Sequence, residues 1–241
     1  VAKRLADIKK QIEDKADEFS SHLDEILSDE VLDIVRHLQA KTKVYLFSGV
    51  IRNYFLKRGY DLRDIDFIIE DDLDIEKLFP NLYIRQNSFG GYKIKLEYLY
   101  IDLWVLNKTW GLNQGQPNLP FDELERLERL PETTFFNFSS ILFLMNEKKF
   151  ITRKPFLRFL RDKKLDVVLE ENPYPALCIV NSFYYADKFR LKLSNKLKQY
   201  IIEHYNDNID HFDNIQLKHF DRIIYKKKDL QKKLDNLQNF K

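Results

Sequence analysis

A single cysteine, Cys178, leaves no partner for a disulfide within the chain. No disulfide framework holds this fold, which fits a reducing compartment and a cytoplasmic location. Cys178 lies in the apolar run Ala176-Leu177-Cys178-Ile179-Val180 and reads as a buried structural thiol, not a nucleophile. Histidine is scarce too. The five present show no H-x-x-x-H or Cys/His spacing of a zinc site. His204, His211 and His219 fall on polar helical stretches, where surface or capping roles are expected. Also missing are an apolar run of membrane-spanning length and a signal-peptide pattern, so no membrane partner is expected. The given sequence starts at Val1, which leaves a preceding segment open. Charge of one sign is lacking as well: 40 basic and 38 acidic residues give a formal net charge of +2. That balance does not by itself announce nucleic acid.

What remains is a globular composition, 44% apolar and 14% aromatic in 241 residues. One large domain or two small ones can bury a core at this length. The densest signal lies in residues 44–70, VYLFSGVIRNYFLKRGYDLRDIDFIIE. Val44-Tyr45-Leu46-Phe47 is an apolar run of strand length. Ser48-Gly49 is a small-residue break, followed by a helical pattern with Ile51, Tyr54 and Phe55 on one face. Asp64-Ile65-Asp66-Phe67-Ile68-Ile69 begins a second strand.

Side chains alternate along a strand, so Asp64 and Asp66 share one face at a spacing of about 7 Å. Ile65, Phe67 and Ile69 take the other face, where a helix can cover them. A third carboxylate, Asp102, sits in the strand-like run Tyr98-Leu99-Tyr100-Ile101-Asp102-Leu103-Trp104-Val105 and joins the pair if the strands are neighbours. Two such anions at about 4 Å repel by roughly 4 kcal/mol at an effective dielectric near 20. A dry cluster of three raises its own pKa values or takes up a cation. Mg²⁺ accepts hard oxygen ligands and bridges carboxylates to phosphates. Backbone N–H groups at the helix start after Ser48-Gly49 favour phosphate. Gly49 permits close approach, and Arg52 and Arg63 are candidate triphosphate clamps.

The order strand, S-G-x-x-R-N, helix, D-x-D resembles the head domain of the DNA polymerase beta nucleotidyltransferase superfamily, most nearly its tRNA nucleotidyltransferase and bacterial poly(A) polymerase branch. That branch reads G-G-x-x-R-D before its D-x-D. Ser48, Gly49, Arg52 and Asn53 stand at those positions here, and Asp64 and Asp66 form the D-x-D. The resemblance implies an α+β head followed by an all-helical neck and C-terminal part. It implies Mg²⁺-dependent transfer of a nucleoside monophosphate from an NTP, ATP included, with release of pyrophosphate. Asp64, Asp66 and Asp102 would be metal-binding and catalytic; Ser48, Gly49, Arg52, Asn53 and Arg63 would bind the nucleotide. The acceptor hydroxyl is open: RNA, protein or a small molecule. An enzyme acting on a tRNA-like RNA 3′ end and a non-catalytic nucleotide-binding regulator are the alternatives.

D-x-D alone is a weak sign among so many acids. A second copy, Asp72-Leu73-Asp74, lacks a following apolar run and reads as a solvated turn or helix N-cap.

The remaining chain arranges around this stretch. Leu5, Ile8, Ile12, Ala16, Phe19, Leu23 and Leu27 predict one amphipathic helix over residues 2–27, and a second starts at Ser28-Asp29. Residues 1–42 are thus N-terminal helices, 43–130 the head, and 131–241 the helical neck and C-terminal domain. A short helix is expected from Asp74 to Phe79. Strands are expected near residues 82–85, 92–96 and 99–106, the last two as a hairpin through Glu97-Tyr98. The head sheet is therefore a mixed one of about five strands. Residues 107–120, with Gly111, Gly115, Pro117 and Pro120, read as a long polar loop of the kind that is often functional. Trp104 reads as core, and Trp110 is open between packing and stacking on a base.

Beyond residue 121 the pattern turns helical. Phe136-Asn137-Phe138-Ser139 loosely resembles the R-D-F-T segment that follows the head in tRNA nucleotidyltransferases. The stretch from Glu171 to Phe189 resembles their E-D-P-x-R neck, with Asn172 for the Asp and Pro175 for the Arg. The branch reads the incoming base with that Asp and Arg, so the resemblance implies altered or lax base choice here. Lys188, Arg190, Lys192, Lys196 and Lys198, then Lys226-Lys227-Lys228 and Lys232-Lys233, form basic clusters that read either as phosphate contacts or as a solvated helix face.

Overall fold

A computed structural model describes residues 4–47, 49–59, 64–87, 90–114 and 123–238. Three helices lead: α1 (Leu5–Glu13), α2 (Ala16–Ile26) and α3 (Asp29–Gln39). The single helix expected over residues 2–27 is broken in two at Asp14-Lys15. Ile8, Ile12, Phe19 and Leu23 are buried, but between Ile12 and Phe19 nothing is. With no apolar anchor there, the chain tightens into a turn, and Lys15 N–H donates to the Ile12 carbonyl. Ser28 caps α3 by accepting from the Val31 N–H.

Strand β1 (Val44–Phe47), helix α4 (Gly49–Leu56) and strand β2 (Asp64–Ile69) follow as the sequence predicts. Next come α5 (Ile75–Leu78), β3 (Tyr83–Gln86), β4 (Tyr92–Lys95) and β5 (Tyr100–Val105). Asp74 is the N-cap of α5, accepting from the Lys77 N–H at 3.1 Å. β4 and β5 form the expected antiparallel hairpin. Trp104, expected in the core, is partly buried and packs against it beside Gly91, where a Cβ would meet its indole ring at 2.6 Å. The loop expected at residues 107–120 contains a 3-10 turn and α6 (Trp110–Gln114), and α7 (Glu123–Arg129) follows. Residues 115–120 lie outside the described ones.

The chain then adds β6 (Ile141–Leu144) and β7 (Lys149–Thr152), a hairpin inside a region expected to be helical. All four residues of β6 are buried. A strand covered on both faces reads as an unbroken apolar run, which periodicity does not separate from a buried helix. The sheet thus has seven strands where about five were expected, in the order β3-β4-β5-β2-β1-β6-β7. It is mixed: β2 and β5 run parallel, and the other neighbours are antiparallel. One face carries Leu46, Ile65, Phe67, Ile101 and Leu103, all fully buried. There the Phe19 ring of α2 meets Phe143 edge-on at 4.9 Å.

The remaining elements are α8 (Lys154–Asp162), β8 (Lys164–Leu165), α9 (Pro175–Phe189), β9 (Lys192–Leu193), α10 (Asn195–His204), α11 (Phe212–Phe220) and α12 (Lys227–Gln238). The fold is α+β, and the chain divides into two compact units. The first runs through Thr134 and takes in Phe138–Arg161; the second holds Phe135–Asn137 and the chain from Asp162 onward. Among the described residues the second unit is helical except for a two-residue parallel pair, β8 with β9, and an antiparallel bridge between Phe136 and Val167, which refine the all-helical expectation. That pair depends on Asn137, a buried side chain whose amide donates to the Lys164 carbonyl and accepts from the Asp166 N–H, both at 3.0 Å. Ser194 caps α10 and hydrogen-bonds Asp166. Cys178 is buried, and burial pushes its thiol up to about 12, which excludes thiolate chemistry at neutral pH. No described helix is long and apolar enough to cross a membrane.

Candidate active site

Strand register decides which side chains meet. In the parallel β2–β5 pair, Asp66 is the partner of Asp102, and Asp64 that of Tyr100. Paired residues share a face, so Asp64, Asp66 and Asp102 lie together on the face opposite Ile65, Phe67 and Ile101. On the other side of β2, Phe47 is the partner of Asp66. The end of β1, and with it the Gly49 start of α4, therefore sits level with the carboxylates.

The lower part of this face is apolar: Tyr45, Ile68, Leu142 and Leu144 pack with Leu106, Leu127 and Leu130. The carboxylates sit at the rim of that cluster. Burial pushes the Asp66 carboxyl up to about 7, helped by the Asp102 and Asp64 charges and opposed by Lys93 and Arg52.

Lys93 is the residue that sequence reasoning missed. It lies on β4 as the register partner of Asp102. Its ammonium reaches Asp102 Oδ2 at 3.2 Å and Asp64 Oδ1 at 3.6 Å. The alternation of Tyr92-Lys93-Ile94-Lys95 against a hairpin partner was the available signal.

At the helix start, a Cβ on Gly49 would meet, among the described residues, only the Arg52 guanidinium, at 4.0 Å, and none of them blocks the approach to this backbone. Arg52 Nε donates to Asn53 Oδ1 at 3.1 Å, and its guanidinium lies 4.9 Å from the centre of the Phe138 ring. Arg52 is thereby held on the carboxylate side, where its charge acts on Asp66. Ser48 and Arg63 lie outside the described residues. The structure thus brings together Asp64, Asp66, Asp102, Gly49, Arg52 and Asn53.

The donor set suits a hard divalent cation. Among the described residues, no three acidic, histidine or cysteine side chains gather closely enough to cage a metal by themselves. Mg²⁺ does not need such a cage, since one or two carboxylates and substrate phosphates suffice. Lys93 already supplies one positive charge to the same oxygens.

In the second unit, Pro175 opens α9 at its first turn, and Asn172 Oδ1 accepts from the Tyr174 N–H at 2.9 Å. Both residues serve the start of the helix.

No protein-family model matches the chain, and no curated protein matches it by sequence. Solved structures match it by fold. A CCA-adding enzyme in complex with CTP superposes with a TM-score of 0.64 at 14% identity, over 91% of this chain and 54% of its own. The Thermotoga maritima CCA-adding enzyme complexed with tRNA gives 0.63 at 16% identity, over 91% and 53%. A tRNA nucleotidyltransferase complexed with a primer tRNA and an incoming ATP analog gives 0.53 at 17%, over 74% and 53%. The chain spans about half the length of these proteins. At such identities the likeness is one of architecture, and the chain has the fold of the CCA-adding and tRNA nucleotidyltransferase structures, as the stretch at residues 44–70 implied.

Proposed function

We propose that this chain transfers a nucleoside monophosphate from an NTP to an acceptor hydroxyl and releases pyrophosphate. The observation that carries this reading is the triad Asp64, Asp66 and Asp102 on paired strands beside the Gly49 start of α4. Burial, with Asp102 and Asp64 beside it, raises the Asp66 carboxyl to about 7, and such a cluster gains from a cation.

One or two carboxylates drawn from Asp64, Asp66 and Asp102, together with triphosphate oxygens, would hold Mg²⁺, which when bound would neutralise charge on the triphosphate. The N–H groups at the start of α4 and the Arg52 guanidinium bind the triphosphate oxygens, with Ser48, Asn53 and Arg63 in support. Asp102 takes the proton of the acceptor hydroxyl as that oxygen attacks the α-phosphorus. The α–β bridging P–O bond breaks, and pyrophosphate leaves with the electron pair. Positioning and charge neutralisation supply most of the catalysis.

Calorimetric titration with each of the four NTPs, with and without Mg²⁺, tests this. Metal-dependent binding of at least one NTP, lost in Asp64→Ala, is the expected result. Absence of binding to all four would leave the fold as a non-catalytic scaffold.

A further inference from the structure

The two cations that face the carboxylates are held differently. Arg52 is braced by the Asn53 side chain and the Phe138 ring. Lys93 is fixed at its backbone, by pairing with Asp102 and by the fully buried Ile94 beside it. Its side chain, by contrast, keeps 42% of its surface exposed, on a flexible four-carbon stem. The ammonium donates to Asp102 Oδ2 at 3.2 Å and reaches past β5 to Asp64 Oδ1 on β2, at 3.6 Å. The Tyr100 ring centre lies 4.9 Å from it. A compact point charge thus sits against oxygens of both strands, the same oxygens that a cation shared by β2 and β5 would use.

We propose that Lys93 is a resident counter-cation. It keeps a divalent ion off Asp64 and Asp102 in the nucleotide-free protein, and it gives up that place when metal and triphosphate arrive together. The inference rests on the nucleotidyltransferase reading and adds an order of binding to it, with the metal entering alongside the nucleotide. Three observations support it. First, the ammonium and a divalent ion compete for the same carboxylate oxygens. Second, among the described residues no three acidic, histidine or cysteine side chains gather closely enough to cage a metal. The protein alone therefore offers a divalent ion few ligands with which to displace the ammonium, and triphosphate oxygens supply the rest. Third, Lys93 is placed to let go. A half-exposed ion pair adds little to stability, so breaking it is cheap. Phosphate oxygens then offer the freed ammonium a charge-assisted partner. Arg52, braced on two sides, has no such freedom.

The test is water-proton relaxation enhancement by Mn²⁺, which rises when the ion joins a protein-sized complex and needs no turnover. The full chain is titrated with Mn²⁺ alone and with Mn²⁺ plus each NTP in turn. The parent should show strong enhancement only with a nucleotide present. Lys93→Met, and Lys93→Gln as a second variant, should bind Mn²⁺ alone about tenfold more tightly than the parent, or better. Lys95→Met is the control. Lys95 is exposed on the same face of β4, two residues on, and its loss should leave Mn²⁺ affinity near the parent value. A melting curve for each variant confirms its fold. The proposal is overturned if both Lys93 variants bind Mn²⁺ no more tightly than the parent. It is also overturned if Lys95→Met gains as much as they do, or if the parent binds Mn²⁺ as tightly without nucleotide as with it. The two readings fail separately. Nucleotide-dependent enhancement in the parent with no gain in the Lys93 variants sinks only the counter-cation. A gain in those variants with no response of the parent to any NTP keeps the counter-cation, strikes the order of binding and sinks the nucleotidyltransferase reading.

Discussion

The chain carries the same D-x-D tripeptide pattern twice, eight residues apart, and the two copies behave oppositely. Asp64 and Asp66 lie in β2 between β1 and β5, where register sets Asp66 against Asp102 and burial pushes its carboxyl up to about 7. Asp72 and Asp74 follow the same strand into solvent. Asp72 pairs with Lys108 at 2.6 Å, and the Lys77 ammonium and N–H beside Asp74 hold its carboxyl below the usual range. Spacing is identical in the two copies, so spacing is not what makes a site. The first copy has a strand neighbour bearing a third acid; the second has lysines and water.

The sharpest way to break this contrast is to remove each copy in turn. Asp64→Ala with Asp66→Ala should abolish pyrophosphate release and leave the chain folded. Asp72→Ala with Asp74→Ala should leave turnover near the parent value and lower Tm by only a few degrees, through loss of the α5 cap. If the first pair of changes leaves pyrophosphate release intact, the assignment of the site is wrong.

The second expectation is a difference of sign with pH. The raised Asp66 carboxyl favours folding fully below the unfolded value of 3.8, and that advantage is lost as pH rises through about 7. The loss amounts to at most about 4 kcal/mol. Asp74, with its carboxyl lowered, contributes above 3.8 and loses its contribution as pH falls. Chemical denaturation across pH 3 to 9 should therefore show a slope in the parent that Asp66→Asn flattens in the upper range and Asp74→Asn flattens at the acid end.

A smaller effect sharpens the role of the neighbouring cation. Lys93→Met removes a charge that holds Asp66 down, so the Asp66 titration should move above 7. Carboxyl NMR of the parent and the variant reads this directly. An unchanged midpoint would mean that Lys93 does not share the field of the cluster. Smallest is the effect expected in the second unit. Asn137→Ala strips partners from the Lys164 carbonyl and the Asp166 N–H and should cost about 2 kcal/mol of stability. Asn172→Ala, on a more exposed turn, should cost less; denaturant midpoints of the two variants settle the order.

Local signals were legible in the sequence. The strand at residues 44–47, the helix at 49–56, the β4–β5 hairpin, the caps at Ser28 and Asp74, and the buried Cys178 all follow from residues within one or two turns of each other. What stayed hidden depends on partners far along the chain. Ile141-Leu142-Phe143-Leu144 became a strand because β1 and β7 flank it. Lys93 joined the carboxylates because β4 fell into one particular register with β5. The break at Asp14-Lys15 reflects an absent anchor, which a count of apolar spacings passes over.

Strand β1 draws its two neighbours from very different distances. β2 is supplied within some twenty residues, whereas Tyr45 waits for Leu144 on the other side. At ordinary elongation rates of about 5–20 residues per second, roughly 5 to 20 s separate the synthesis of the two. For that interval a fully apolar strand has an open edge, of the kind that invites pairing with another chain. The growing polypeptide therefore passes through a stage, set by the clock of synthesis, in which the segment leading to its candidate active site is the one most in need of shelter.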